Sequence, residues 1–157
     1  MTTRCLAFLA LLSCLLLFAC KHPRAALDEQ HQSLYREVYA ASDEDVARRL
    51  STLSPEQRVD FHLWVLSNTH PPSTLAEQAV RDGGTKSAVV LQARLSTIEW
   101  RSVVYESIAL LASMCEAGQY DIGAVQSSKL VRACDRVARG DPACVNMAKR
   151  TLACEGP

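Results

Sequence analysis

Apolar residues recur every three to four positions along most of the chain, and no run alternates with polar residues as a half-buried strand requires. Leu27, His31, Leu34, Val38 and Ala41 share one helical face, with Tyr35 and Tyr39 one position round. Val46, Leu50 and Leu53 form the next stripe. Val59, Leu63 and Leu66 form another, beside Phe61, Trp64 and Val65. So wide an apolar arc predicts contacts on two sides of that helix. From Lys86 to Ala117 there is neither Gly nor Pro, which predicts the longest helix of the chain. Leu91, Leu95, Ile98, Tyr105, Ala109 and Ala112 would lie on one of its faces. Val89, Trp100, Val104, Leu111, Met114 and Cys115 would lie on the other, as expected of a central rod with neighbours on both.

Capping residues separate these stripes. Ser42 precedes Asp43, Glu44 and Asp45, a hydroxyl cap followed by acids suited to the positive end of the helix dipole. Ser54-Pro55-Glu56-Gln57 has a hydroxyl cap, Pro at the first helical position and Gln placed for a reciprocal bond. Asn68-Thr69-His70-Pro71-Pro72 ends that helix, because a residue before proline is pushed out of the right-handed region. A short helix follows from Thr74 to Arg81, closed by Asp82-Gly83-Gly84, with Thr85 as the next cap. Gly83-Gly84-Thr85-Lys86-Ser87 lacks the spacing and the preceding strand of a phosphate loop. Gly118 stops the long helix, a further helix runs from about Ile122 to Arg139, and Gly140 stops that one. Asp141-Pro142 caps the last, with Val145, Ala148 and Leu152 inward. The expected fold is all-α, a multi-helix bundle around a long central helix that ends in a helical hairpin.

The first twenty residues, MTTRCLAFLALLSCLLLFAC, have another character: one early Arg, a continuous apolar run, and a small residue directly before cysteine. Arg4 serves as the positive n-region and Leu6 to Phe18 as the apolar h-region of a signal peptide. The uncharged run from Cys5 to Cys20 is shorter than the roughly 20 residues that cross a bilayer core. Leu17-Phe18-Ala19-Cys20 resembles the lipobox of bacterial lipoproteins, with Leu11-Leu12-Ser13-Cys14 as a competing match. Cleavage before Cys14 would leave LLLFA on the mature N-terminus, so Cys20 is favoured. The resemblance covers these residues alone and implies that Cys20 is acylated and becomes the mature N-terminus. In lipoproteins of enteric bacteria an Asp after that cysteine holds the protein at the inner membrane. The residue here is Lys21, which by the same resemblance favours the outer membrane, periplasmic face. Residues 1–19 are then the signal, 20–26 a lipidated tether containing Pro23, and 27–157 a single helical domain.

Removing residues 1–19 from 157 leaves 138, enough for one domain with a real core. Four cysteines remain beyond Cys20: Cys115, Cys134, Cys144 and Cys154. An even set in an oxidising compartment predicts two disulfides. No C-x-x-C pair occurs and no histidine lies beyond His70, so a metal site is not expected. Cys134 and Cys144 lie five residues before and after position 139, and an antiparallel hairpin turning at Gly140-Asp141 would set them opposite each other. The last helix then runs back toward the end of the central rod. Nested bridges Cys134–Cys144 and Cys115–Cys154 follow.

Charge excludes one class of partner. With Arg4 gone the mature chain has 16 basic and 17 acidic residues, and that balance argues against electrostatic capture of nucleic acid. Nor is there a G-x-S-x-G, H-E-x-x-H or EF-hand pattern, and His22, His31, His62 and His70 lack metal spacing. His62 with Asp60 and Glu56 falls off the i±3/i±4 face that an acid–base site on one helix would need, so it is expected to be a partly exposed structural histidine. Trp64 and Trp100, inside apolar stripes, are expected in the core. The Arg48-Arg49 pair after three acids is expected to form ion pairs on a solvated face.

The segment Ser67 to Ser73 is rigid, polar and expected to be exposed, and loops on a fixed scaffold commonly carry recognition. Asn68, Thr69 and His70 are therefore the candidate partner contact. The expected function is a binding module hung from the membrane by its N-terminal lipid, meeting a periplasmic or envelope protein, with no cofactor and no enzymatic activity. An immunity protein, or an inhibitor of an envelope-targeting toxin or hydrolase, is one form. A pilotin-like assembly factor for an outer-membrane secretion complex is the other, since pilotins resemble this chain in size, lipidation, helicity and disulfide use.

Overall fold

The residues that punctuate the sequence start and stop most of the helices. The computed structural model describes residues 32–37, 42–69, 73–121, 123–139 and 141–151. Two units are distinguished, Met1–Ala40 and Ala41–Pro157. In the first, residues 32–37 form helix α1, inside the segment expected to be helical, with Leu34 and Tyr35 half-buried. The signal segment 1–19 and the tether 20–26 lie outside the described residues.

The second unit contains α2 (Asp43–Ser51), α3 (Pro55–Asn68), α4 (Thr74–Asp82), α5 (Gly84–Leu95), α6 (Arg101–Glu116), α7 (Ser127–Ala138) and α8 (Pro142–Arg150). Among the described residues there is no strand. The Ser42 hydroxyl accepts the Asp45 amide and opens α2. At α3 both halves of the capping box form: the Gln57 amide donates to Ser54 Oγ at 3.3 Å, and the Ser54 amide donates to Gln57 Oε1 at 2.9 Å. Such a cap contributes about 1 kcal/mol. At the far end of α6, Gly118 takes φ +64°, its amide donates to the Cys115 carbonyl, and the Gln119 amide donates to that of Met114 at 2.8 Å. This is a complete Schellman stop, which needs the left-handed residue that glycine supplies. Asp141 caps α8 by accepting the Ala143 amide at 3.0 Å, with Pro142 at the first position.

The single long helix expected from Lys86 to Ala117 does not form. Two helices replace it, joined at Ser96–Trp100. Ser96 Oγ and Thr97 Oγ1 donate to the carbonyls of Ala93 and Arg94, and their amides make i to i−3 bonds to the same two groups. Hydroxyl side chains that compete for backbone partners close a helix without Gly or Pro. The Arg136 guanidinium, from α7, donates to the carbonyls of Leu95 and Ile98 and satisfies the elbow from outside. The central position therefore falls to α6 alone. It packs against α3 and α5 and against both helices of the C-terminal hairpin. Its Val104, Ile108, Leu111 and Met114 are fully buried, and each such side chain contributes about 1.5–3 kcal/mol.

Two further boundaries differ from expectation. Thr85 does not cap α5; its Oγ1 accepts the Asp121 amide at 2.9 Å, tying the start of α5 to the loop after α6. Helix α7 begins at Ser127 rather than near Ile122. Gly123 is left-handed at φ +79°, and Tyr120 and Val125 turn into the core, which a continuous helix would not allow. Gln92 Nε2 then holds the Gln126 carbonyl at 3.1 Å.

Candidate functional site

Asn68 and Thr69 stand where α3 ends, and their side chains turn back onto the helix. Asn68 Nδ2 donates to the Trp64 carbonyl at 2.8 Å, Thr69 Oγ1 to that of Val65 at 2.9 Å, and Ser67 Oγ to that of Leu63 at 2.8 Å. Each donor shares the carbonyl four residues back with a backbone amide, as the Thr69 amide does at Val65 at 3.0 Å, the back-bonding typical of short polar side chains in a helix. Asn68 is exposed and Thr69 half-buried. Three side-chain bonds therefore fix this corner. His70 lies outside the described residues, as do Pro71 and Pro72.

The two tryptophans differ. Trp64 is half-buried and stacks on Phe61 one turn earlier, ring centroids 6.3 Å apart. Trp100, expected in the core, is 41% exposed because it sits at the elbow, outside any helix.

His62 also departs from expectation, being 4% exposed rather than partly so. Its neighbours on α3 are Val59, Phe61 and Val65, all buried. Among the described residues neither ring nitrogen has a hydrogen-bond partner. Burial pushes its pKa down to about 4, while Glu77 opposes and Arg81 reinforces that shift. At neutral pH it is therefore an uncharged imidazole. Asp60 is engaged elsewhere, accepting Nε and Nη2 of Arg94 at 2.7 and 3.0 Å. The residues His62, Asp60 and Glu56 thus do not form an acid–base site. No cluster of His, Cys, Asp and Glu among the described residues is arranged to hold a metal ion.

The cysteines tie the C-terminal hairpin together. Cys134 and Cys144 are both fully buried and bridged, with Cα atoms 5.7 Å apart, and the bridge joins α7 to α8. Cys115 is buried and disulfide-bonded as well. Its expected partner, Cys154, lies outside the described residues, and so does Cys20.

The exposed side of α7 is basic and belongs to no motif. Lys129, Arg132 and Arg136 are all exposed there, and Arg139 follows at the helix end. Their spacing was legible; the even charge balance of the whole chain masked them.

No helix among the described residues is long and apolar enough to cross a membrane. Compared with protein-family models, curated proteins and solved structures, the chain finds no match.

Proposed function

We propose that this protein is a lipid-anchored helical binding module of the bacterial envelope, attached through Cys20, facing the periplasm from the outer membrane, and acting by contact with another protein. The Cys134–Cys144 bridge carries this reading on the structural side. A buried disulfide between two helices belongs to an oxidising compartment, and the apolar leader before Cys20 is what would deliver the chain to one. The frame around Asn68 and Thr69 supports a contact at the end of α3, because a polar corner whose side chains are already bonded loses little entropy on binding.

The module would serve as an immunity protein or as an inhibitor of an envelope-targeting toxin or hydrolase. Capture from envelope extracts tests this. One protein partner should return, with a Kd at or below about 1 nM, near −12 kcal/mol. Replacing Asn68 or His70 should weaken it while helical circular dichroism is unchanged. A chain that comes back alone, or a partner indifferent to both replacements, contradicts the proposal. The pilotin-like reading draws on the same size, helicity and disulfide. A secretin subunit as the captured partner would select it.

A further inference from the structure

Formal neutrality conceals a segregated charge distribution. Between Ser42 and Gln126 the chain has 7 basic and 11 acidic residues, a net of −4; between Ser127 and Thr151 it has 6 basic and 2 acidic, a net of +4. The positive excess lies on the C-terminal hairpin. At about 100° per residue, Lys129, Arg132 and Arg136 fall within an arc of roughly 60° on α7. All three are exposed, the Arg136 guanidinium also donating to the carbonyls of Leu95 and Ile98, while Leu130 and Cys134 on the other side are buried. Arg139 extends the row past the last turn, for a length of about 15 Å. Among the described residues, Lys129, Arg132 and Arg139 take part in no ion pair. Asp135 borders the row, and the other acid of the hairpin, Asp141, is paired with Arg101.

Arg139 adds an independent observation. Its φ is +49°, in the left-handed region where a long side chain is costly and glycine is not. A non-glycine residue held there points to a use for its side chain. The hairpin is also cross-linked by Cys134–Cys144, so the row stands on a rigid rod.

We infer that this basic face docks on an anionic phospholipid surface. A straight row of guanidinium and ammonium groups meets a plane of phosphates all at once, and each group gains from the negative surface potential of such a leaflet. The choice of a lipid surface rests on the proposed attachment through Cys20. Ser42 lies 22 positions after Cys20, a reach of at most about 75 Å, so a weak second contact with the same bilayer is strengthened by proximity.

The polypeptide 21–157 keeps the unit Ala41–Pro157 whole and has no lipid, which separates this test from the attachment itself. It should cosediment with vesicles of three parts phosphatidylcholine to one part phosphatidylglycerol and not with phosphatidylcholine alone. Binding should disappear near 1 M salt, where the Debye length is about 3 Å. The variant Lys129→Glu/Arg132→Glu/Arg139→Glu should bind at least about 100-fold more weakly, roughly fivefold for each basic group removed, with its circular dichroism unchanged. Lys86→Glu, at an exposed position of α5, should leave binding as it was. Equal binding to both vesicles, no binding to the anionic ones, full binding by the triple variant, or a preference for duplex DNA at equal phosphate would each overturn the inference. Loss of the Cys20 attachment alone would leave the vesicle result standing.

Discussion

Helix α5 is bounded by two reversals built in opposite ways. At its start, Gly83 and Gly84 sit side by side; Gly84 takes φ +53°, and a Cβ there would meet the Gln119 carbonyl oxygen at 3.2 Å. At its end, Ser96–Trp100 contains no glycine or proline, and Arg136, 41 residues after Leu95, completes it. The first turn is written in the residues that make it. The second combines local hydroxyl bonds with a donor that comes from α7. One consequence is that the two should respond differently to perturbation, the glycine turn to local changes and the elbow to changes in the hairpin.

The largest effect expected is one that spares the elbow. His62 lies on α3, and the charged groups that act on it, Glu77 and Arg81, are on α4, just before the glycine turn. Its folded pKa of about 4 is below the ordinary value of 6.5, so the unfolded chain takes the proton more readily. The stability that rests on the neutral ring is present above pH 6.5, is lost as pH falls through that range, and is gone below about pH 4. The loss is on the order of 3 kcal/mol. Urea denaturation at pH 7 and pH 4 should show it, and His62→Leu should abolish much of the difference while raising stability at pH 7, since it removes two buried nitrogens without partners. An acid limb unchanged by His62→Leu would assign the pH dependence to other groups.

Next in size is the hairpin. Replacing Cys134 and Cys144 together with Ala should cost about 2–3 kcal/mol, as expected for opening a short loop. By loosening α7 it should speed amide hydrogen exchange at Ser96–Trp100 more than at Gly83–Gly84. Arg136→Met should cost about 1.5 kcal/mol and show the same bias, because it leaves two carbonyls without their charged donor. Uniform exchange across both reversals would deny the elbow its dependence on α7. The smallest effect belongs to Gly84→Ala, about 1 kcal/mol, from left-handed strain and the close carbonyl. Its exchange signature should stay within the glycine turn and the facing loop at Gln119–Asp121, and spread to the elbow would count against the contrast.

The same contrast explains how much of the fold was legible. Ser42, Ser54, Gly118 and Asp141-Pro142 act on amides and carbonyls within a few residues of themselves, so their roles could be read off the chain. Cys134 and Cys144 were legible too, because a hairpin turn relates positions by simple counting. The break at Ser96 was not, since serine and threonine occur inside helices as well as at their ends, and the bonds that support the elbow from outside come from a distant arginine. The burial of His62 escaped for a similar reason: its own helix offers a polar spacing, and only packing against neighbours excludes water. Of the candidate contact, Asn68 and Thr69 were found as expected at a helix end, but nothing in their spacing foretold that their donors would fold back onto α3. The row on α7 was hidden by arithmetic, a neutral total made from two unlike halves.

The proposed compartment, anchor and partner all depend on acylation of Cys20. Mass spectrometry of the mature N-terminus from a membrane fraction measures it directly. The predicted result is a chain that begins at Cys20 and carries acyl mass, with Cys20→Ser moving the protein out of that fraction. An intact Met1 terminus, or an unacylated Cys20 with unchanged fractionation of the serine variant, would contradict it.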